Sequence, residues 1–105
     1  MNEERLQELI EEATVDCYGE EEEFWGFLSA LGDELSFPIQ ATLIGEPVEL
    51  IGLDDEASTS HRGIVARIRR RGQEYSVSLA DLTIPESDTH HAEWLAAYRY
   101  WLQSF

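Results

Sequence analysis

The chain has 105 residues, of which 22 are acidic and 7 basic, and its formal net charge at pH 7 is −15. All seven basic residues are arginine, which excludes lysine chemistry, and the acidity argues against nucleic acid or an anionic membrane as a partner, because both bind basic surfaces. The 43% hydrophobic content suffices for one domain over residues 1–105, and with a single cysteine and no bilayer-length apolar run we expect a cytoplasmic protein.

The first 35 residues are predicted to form two helices. Apolar residues recur at helical spacing and predict an amphipathic helix over residues 3–18, namely Leu6, Leu9, Ile10, Ala13 and Cys17. Gly19 interrupts this pattern. A second helix is predicted to begin at the glutamates 20–23, whose charge suits the positive end of the helix dipole, and to end near Gly32, before Pro38.

Between residues 38 and 84 the pattern changes to short alternating strands. An apolar strand at 39–43 is followed by a turn, a second apolar stretch at 48–53 and a polar loop at 54–62. Two further strands flank residues 70–73, whose Arg-Arg-Gly-Gln sequence is typical of a tight hairpin. Short strands joined in sequence order predict a small SH3-like antiparallel β-barrel.

The last predicted element is a helix over residues 88–104. Pro85 ends the strand region, and Asp88 can cap the helix. Its apolar side is expected to lie in the core and comprises Trp94, Leu95, Tyr98, Trp101, Leu102 and Phe105. The predicted fold class is therefore α+β, with a helical region at 1–35, the barrel at 38–84 and this C-terminal helix.

Acidic residues near the first helix are one candidate for a metal site. If that helix continued through Gly19, Asp16, Glu20 and Glu23 would share a face. Like charges at that spacing destabilise a helix, and a divalent cation would relieve the repulsion. The simpler interpretation is a solvated acidic turn.

Two further pairs of carboxylates are candidates. Asp33 and Glu34 lie at the predicted end of the second helix, where negative charge is unfavourable and free carbonyl oxygens could add ligands. Asp54 and Asp55 open a loop whose oxygens at alternate positions could wrap an ion, although the loop lacks the glycine and the glutamate of an EF-hand. A solvated loop is the simpler interpretation here as well.

No pattern predicts catalysis. His90 and His91 are adjacent, so on a helix they would point about 100° apart and could not ligate one ion together. Cys17 lies on an apolar stripe with no predicted base beside it, which indicates a core thiol. We find neither a nucleophile elbow nor a glycine-rich phosphate loop, and the chain is predicted not to be an enzyme.

Six stretches follow one another along the chain in a recognisable order: VDCYGEEEE at 15–23, WGF at 25–27, LGDELSFP at 31–38, VELIGLD at 48–54, GIVARIRRRGQEYSVSLADL at 63–82 and EWLAAYRYWL at 93–102. Together, over about residues 8–102, they resemble the small acidic calcium-binding proteins of the cyanobacterial-type CcbP family. The resemblance implies Ca²⁺ binding through surface carboxylates, outside any EF-hand, in a protein that buffers or senses calcium in the cell.

Carried onto this sequence, the resemblance implies ligands in the acidic stretch after the first helix and at the end of the second. With the polar loop included, the predicted metal ligands are Asp16, Glu20, Glu21, Glu23, Asp33, Glu34, Asp54 and Asp55. The predicted function is that of a non-enzymatic Ca²⁺ buffer or sensor. The alternative is an acidic SH3-like interaction module that binds a basic protein partner without metal.

Overall fold

The computed structural model describes residues 2–104, so Phe105 lies outside the described residues. The described part consists of three α-helices and one five-stranded sheet, with bounds α1 Glu3–Ala13, α2 Glu20–Glu34, β1 Ile39–Leu43, β2 Glu46–Thr59, β3 Gly63–Arg70, β4 Gln73–Ser78, β5 Leu82–Thr83 and α3 Thr89–Leu102. A 3₁₀ turn at Leu79–Asp81 joins β4 to β5. The α+β prediction is confirmed. None of the helices in the described range combines the length and apolarity that a bilayer crossing needs.

The strand order in the sheet is β4-β3-β2-β1-β5, and every pairing is antiparallel. β4 and β5 form its two edges. Within residues 2–104 no pairing joins these edges, so the sheet is not closed and the predicted barrel is not confirmed. The tight hairpin predicted at 70–73 is present, because Arg70 pairs with Gln73 across the β3–β4 turn.

Helices and sheet share one hydrophobic core, to which α3 contributes the large aromatic side chains. Tyr98 and Trp101 are buried, as their position on the apolar stripe predicts. Phe27 of α2 packs against both rings, with centroid distances of 5.9 Å to Tyr98 and 5.1 Å to Trp101. Aromatic pairs at such distances add to the stabilisation from burial itself. This contact fixes α2 against α3.

The first helix is shorter than the pattern predicts, because it ends at Ala13 rather than continuing to residue 18. The hydroxyl and the backbone N–H of Thr14 both donate to the carbonyl oxygen of Ile10, at 2.7 and 2.9 Å. Asp16 then takes a left-handed backbone conformation, with φ 60°. Since that conformation cannot continue a helix, Asp16 does not share a helical face with Glu20 and Glu23.

The prediction of a polar loop at 54–62 is wrong for most of that range, because β2 continues to Thr59. Ser58 is buried; its hydroxyl donates to the carbonyl oxygen of Asp54 at 2.6 Å and accepts the backbone N–H of Val65 at 2.9 Å. These bonds hold an irregular stretch of β2 against β3 and satisfy polar groups that a local pattern would assign to solvent.

Candidate metal site

The segment between α1 and α2 is held close to both helices by a glycine. A Cβ atom at Gly26 would lie 2.5 Å from the carbonyl oxygen of Ala13 and 3.0 Å from the sulfur of Cys17. Only glycine therefore lets α2 approach the end of α1 this closely. The segment is also tied to the first turn of α2, because the backbone N–H of Tyr18 donates to Glu22 Oε1 at 3.3 Å.

Three carboxylates of this region raise the pKa of the Cys17 thiol. Burial raises the pKa of Cys17, and the negative charges of Glu22, Glu23 and Asp16 raise it further. Two predicted ligands, Asp16 and Glu23, are thus both close enough to Cys17 to raise its pKa. Glu22 also raises the pKa of Cys17 but is not among the predicted ligands. The sequence feature that could have identified it is its place in the acidic run, four residues after Tyr18.

The glutamates at the start of α2 differ in their surroundings. Glu20 and Glu21 are exposed in the first turn, where their charge suits the helix dipole. Glu23 is half-buried, and its Oε1 accepts a hydrogen bond from Trp101 Nε1 at 2.8 Å. A cation bound by Glu23 would therefore compete with an indole N–H for the same carboxylate.

A groove of about 550 Å³ lies between α2 and β2, and its lining consists of Trp25, Leu28, Ser29, Gly32, Asp33, Phe37, Leu53 and Asp55. Asp33 and Asp55 are its carboxylates, and both are exposed. Two predicted ligands from separate elements thus face one groove, next to the hydroxyl of Ser29. This is the most specific meeting of predicted ligands in the described residues.

Glu34 and Asp54 already have partners within the fold. His90 Nε2 lies 3.2 Å from Glu34 Oε2 and 3.0 Å from the carbonyl oxygen of Glu34. Asp54 Oδ1 accepts the backbone N–H of Ala57 at 3.1 Å. These contacts give both carboxylates a structural role, and each would have to be released or shared before the oxygen could bind a cation.

The donor chemistry of these groups suits a hard cation. In the range 2–104, no group of three or more His, Cys, Asp or Glu side chains converges to hold a metal ion. Ca²⁺ takes six to eight oxygens, which can include backbone carbonyls and water. The carboxylates fit Ca²⁺ in kind, and water, backbone oxygens or side-chain movement would have to complete the coordination.

Comparison with known proteins shows the same architecture elsewhere. The crystal structure of Anabaena CcbP is similar with a TM-score of 0.77, at 23% identity over 97% of this chain and 91% of that chain. A structure described as a calcium binding protein in the calcium-binding form is similar with a TM-score of 0.75, at 24% identity over 98% of this chain and 92% of that one. No curated protein matches the sequence significantly.

The family comparison is the decisive one. The sequence profile of the CcbP family, described as calcium binding, matches residues 7–102. This is a calcium-binding family and not an enzyme family, so the predictions of Ca²⁺ as the ligand and of no enzymatic activity are confirmed. The chain is therefore a member of the CcbP family of calcium-binding proteins.

Proposed function

We propose that this chain binds Ca²⁺ through surface carboxylates and acts in the cytoplasm as a calcium buffer or sensor. Family membership supports the ion, and the groove shared by Asp33 and Asp55 is the observation that carries the choice of carboxylates. The net charge of −15 raises the local concentration of cations, so that a few carboxylates suffice for binding.

The groove between α2 and β2 is the first proposed site. Asp33 lies in the last turn of α2, where the helix dipole is negative and attracts a cation. Asp55 approaches from β2, and the Ser29 hydroxyl adds a neutral oxygen. With two carboxylates and the rest of the shell from water or backbone, we expect an affinity below that of a site enclosed by more carboxylates.

The acidic junction is the second proposed site, with Asp16, Glu20, Glu21 and Glu23 as ligands and Glu22 added from the structure. Here Ca²⁺ would draw Glu23 away from Trp101 and so affect α3. A site limited to Asp33 and Asp55 leaves α3 untouched. Binding at the junction thus suits a sensor, and binding in the groove suits a buffer. Glu34 and Asp54 would become ligands only after releasing His90 and the backbone N–H of Ala57, respectively.

Isothermal titration with Ca²⁺ tests the groove site. Asp33→Asn and Asp55→Asn should each weaken binding by about tenfold or more, because each removes an anionic ligand. Glu11→Gln is the control, since it removes the same charge from the exposed face of α1. Unchanged titrations for both aspartate variants would reject the groove, and an equal loss for Glu11→Gln would show a general effect of net charge.

A second candidate function is an acidic SH3-like module that binds a basic protein without metal. The 3₁₀ turn between β4 and β5 and the sheet order support an SH3-like arrangement. Val15, Tyr18 and Trp25 support a docking role, because they are 67, 79 and 46% exposed beside the acidic run 20–23. NaCl would weaken such binding steeply, and EDTA would leave it unchanged, whereas chelation would abolish the Ca²⁺ function.

A further inference from the structure

Two hairpin turns at one end of the sheet each place a large side chain in a left-handed backbone conformation. The β1–β2 turn holds Ile44 with φ 50° and Gly45 with φ 78°, and the β3–β4 turn holds Arg71 with φ 52° and Gly72 with φ 79°. β2 begins and β3 ends at this end of the sheet, and these strands are antiparallel neighbours, so the two turns lie side by side.

These conformations work against local stability. A left-handed conformation is unfavourable for residues with a Cβ atom and most unfavourable for a β-branched one, while asparagine or glycine would relieve it. Ile44 is nevertheless 93% exposed, so burial of its side chain does not offset the cost of this conformation. Residues held in such conformations cluster at functional sites, which points to a use for this apolar tip.

The segment 61–80 is the positive part of an acidic protein, because it contains five arginines and one glutamate and carries +4. Three of these arginines, Arg69, Arg70 and Arg71, lie at or just after the end of β3, near the two turns. Arg70 forms an ion pair with Glu46. Arg69 Nη1 lies 3.7 Å from Glu49 Oε1, and Arg69 Nη2 lies 3.3 Å from Glu74 Oε2. Within residues 2–104, Arg71 has neither an ion pair nor a side-chain hydrogen bond. Its guanidinium is available to a carboxylate of another molecule.

We propose that Ile44, Arg70, Arg71 and Tyr75, the hairpin-tip surface, dock an acidic peptide segment of another protein that carries an apolar side chain beside its carboxylates. Shallow grooves already flank the arginines. One of about 240 Å³ is lined by Arg70, Arg71, Gln73 and Tyr75, and another of about 320 Å³ by Glu46, Pro47, Arg70 and Arg71. Guanidinium groups pair with carboxylates in a bidentate geometry, and Ile44 and the 47% exposed Tyr75 offer apolar contact.

The size of the positive surface favours a peptide over an extended polyanion. Charges are screened beyond about 8 Å at physiological ionic strength, so only the groups near the tips attract a partner. A nucleic acid or an anionic bilayer would also meet Glu46, Glu49 and Glu74 and the −15 charge of the whole chain. A narrow peptide can occupy the groove of Arg70, Arg71, Gln73 and Tyr75, whose lining contains no carboxylate.

Fluorescence anisotropy with the whole chain tests this proposal. The probe is a labelled short peptide rich in glutamate with leucine at its centre, and the control probe has glutamine in place of glutamate. We expect the glutamate probe alone to bind, more weakly as NaCl rises. Ile44→Asn and Arg71→Asn should each weaken binding about tenfold while raising the melting temperature, because asparagine tolerates the left-handed conformation. A merely structural role would instead lower both binding and stability.

Arg62→Asn is the matched control, because Arg62 is an exposed arginine in the β2–β3 turn at the opposite end of the sheet. It should leave binding unchanged. Equal binding of both probes, an equal loss with Arg62→Asn, or full binding by the two tip variants would overturn the proposal. Sedimentation without probe adds a further test: self-association that Arg71→Asn removes would assign the surface to a second copy of this chain and reject an acidic partner.

Discussion

Tyr98 joins α3 to the sheet through one hydrogen bond. Its hydroxyl oxygen accepts the backbone N–H of Ile64 at 2.9 Å, and its side chain is buried. The neighbouring Gly63 has φ 87°, and a Cβ atom there would lie 3.1 Å from the Tyr98 hydroxyl. Burial raises the pKa of Tyr98, and the bond from Ile64 opposes this in part. Glycine and tyrosine are thus fitted to one another at the start of β3.

Tyr98→Phe should lower the free energy of unfolding by about 1–3 kcal/mol, because it leaves the Ile64 N–H buried without an acceptor. Urea denaturation measures this. The raised pKa of Tyr98 means that the folded state holds the phenolic proton more tightly, so its stabilisation is complete below the usual value of 10.0 and is lost as the pH rises through the folded pKa. The phenylalanine variant should lack this alkaline loss, and an unchanged urea midpoint would show that the bond contributes nothing.

At the scale of the elements, Gly26 determines how closely α2 can pack against the end of α1. Its neighbour is the backbone oxygen of Ala13, which cannot move aside as the end of a flexible side chain could. Gly32, also in α2, has no neighbour within 4 Å of the position that a Cβ atom would occupy. The two glycines therefore differ in packing while sharing the same helix.

Gly26→Ala should destabilise the fold by about 1–3 kcal/mol, because the helices must separate to admit the methyl group. Gly32→Ala should raise stability by roughly 0.5–1 kcal/mol, since alanine loses less backbone entropy in a helix. Thermal and urea unfolding of the two variants give the comparison. Stabilisation by both would mean that α1 and α2 can shift apart without cost.

Sequence patterns predicted the elements that local periodicity and punctuation define. α2, β1, the hairpin at 70–73 and α3 follow their patterns closely. The end of α1 and the length of β2 were missed because Thr14 caps the helix and Ser58 bonds across to β3, and both depend on contacts rather than on periodicity. The acidic regions were likewise predictable, but the meeting of Asp33 with Asp55 depends on how α2 lies over β2.

At the scale of the whole molecule, charge sets the response to ions. Any ion that binds only the folded state stabilises it, by about 2.7 kcal/mol at a free concentration a hundredfold above the dissociation constant. Saturating Ca²⁺ should therefore raise the melting temperature above that in EDTA. Mg²⁺ should do so less, because it demands a rigid octahedral shell that the exposed carboxylates do not offer. If NaCl at matched ionic strength gave the same rise, screening of the −15 charge would be the cause.

α1 packs chiefly against α3. Across this interface, Arg5 Nε lies 3.4 Å from Glu93 Oε1. The interface joins the two ends of the chain, so it closes the longest loop in the molecule and carries the largest entropic cost of closure. We therefore expect α1 to dock late during folding, once α3 is in place. An isolated peptide of residues 1–35 would keep its carboxylates yet lose the support that holds them, so the acidic junction is a property of the finished fold.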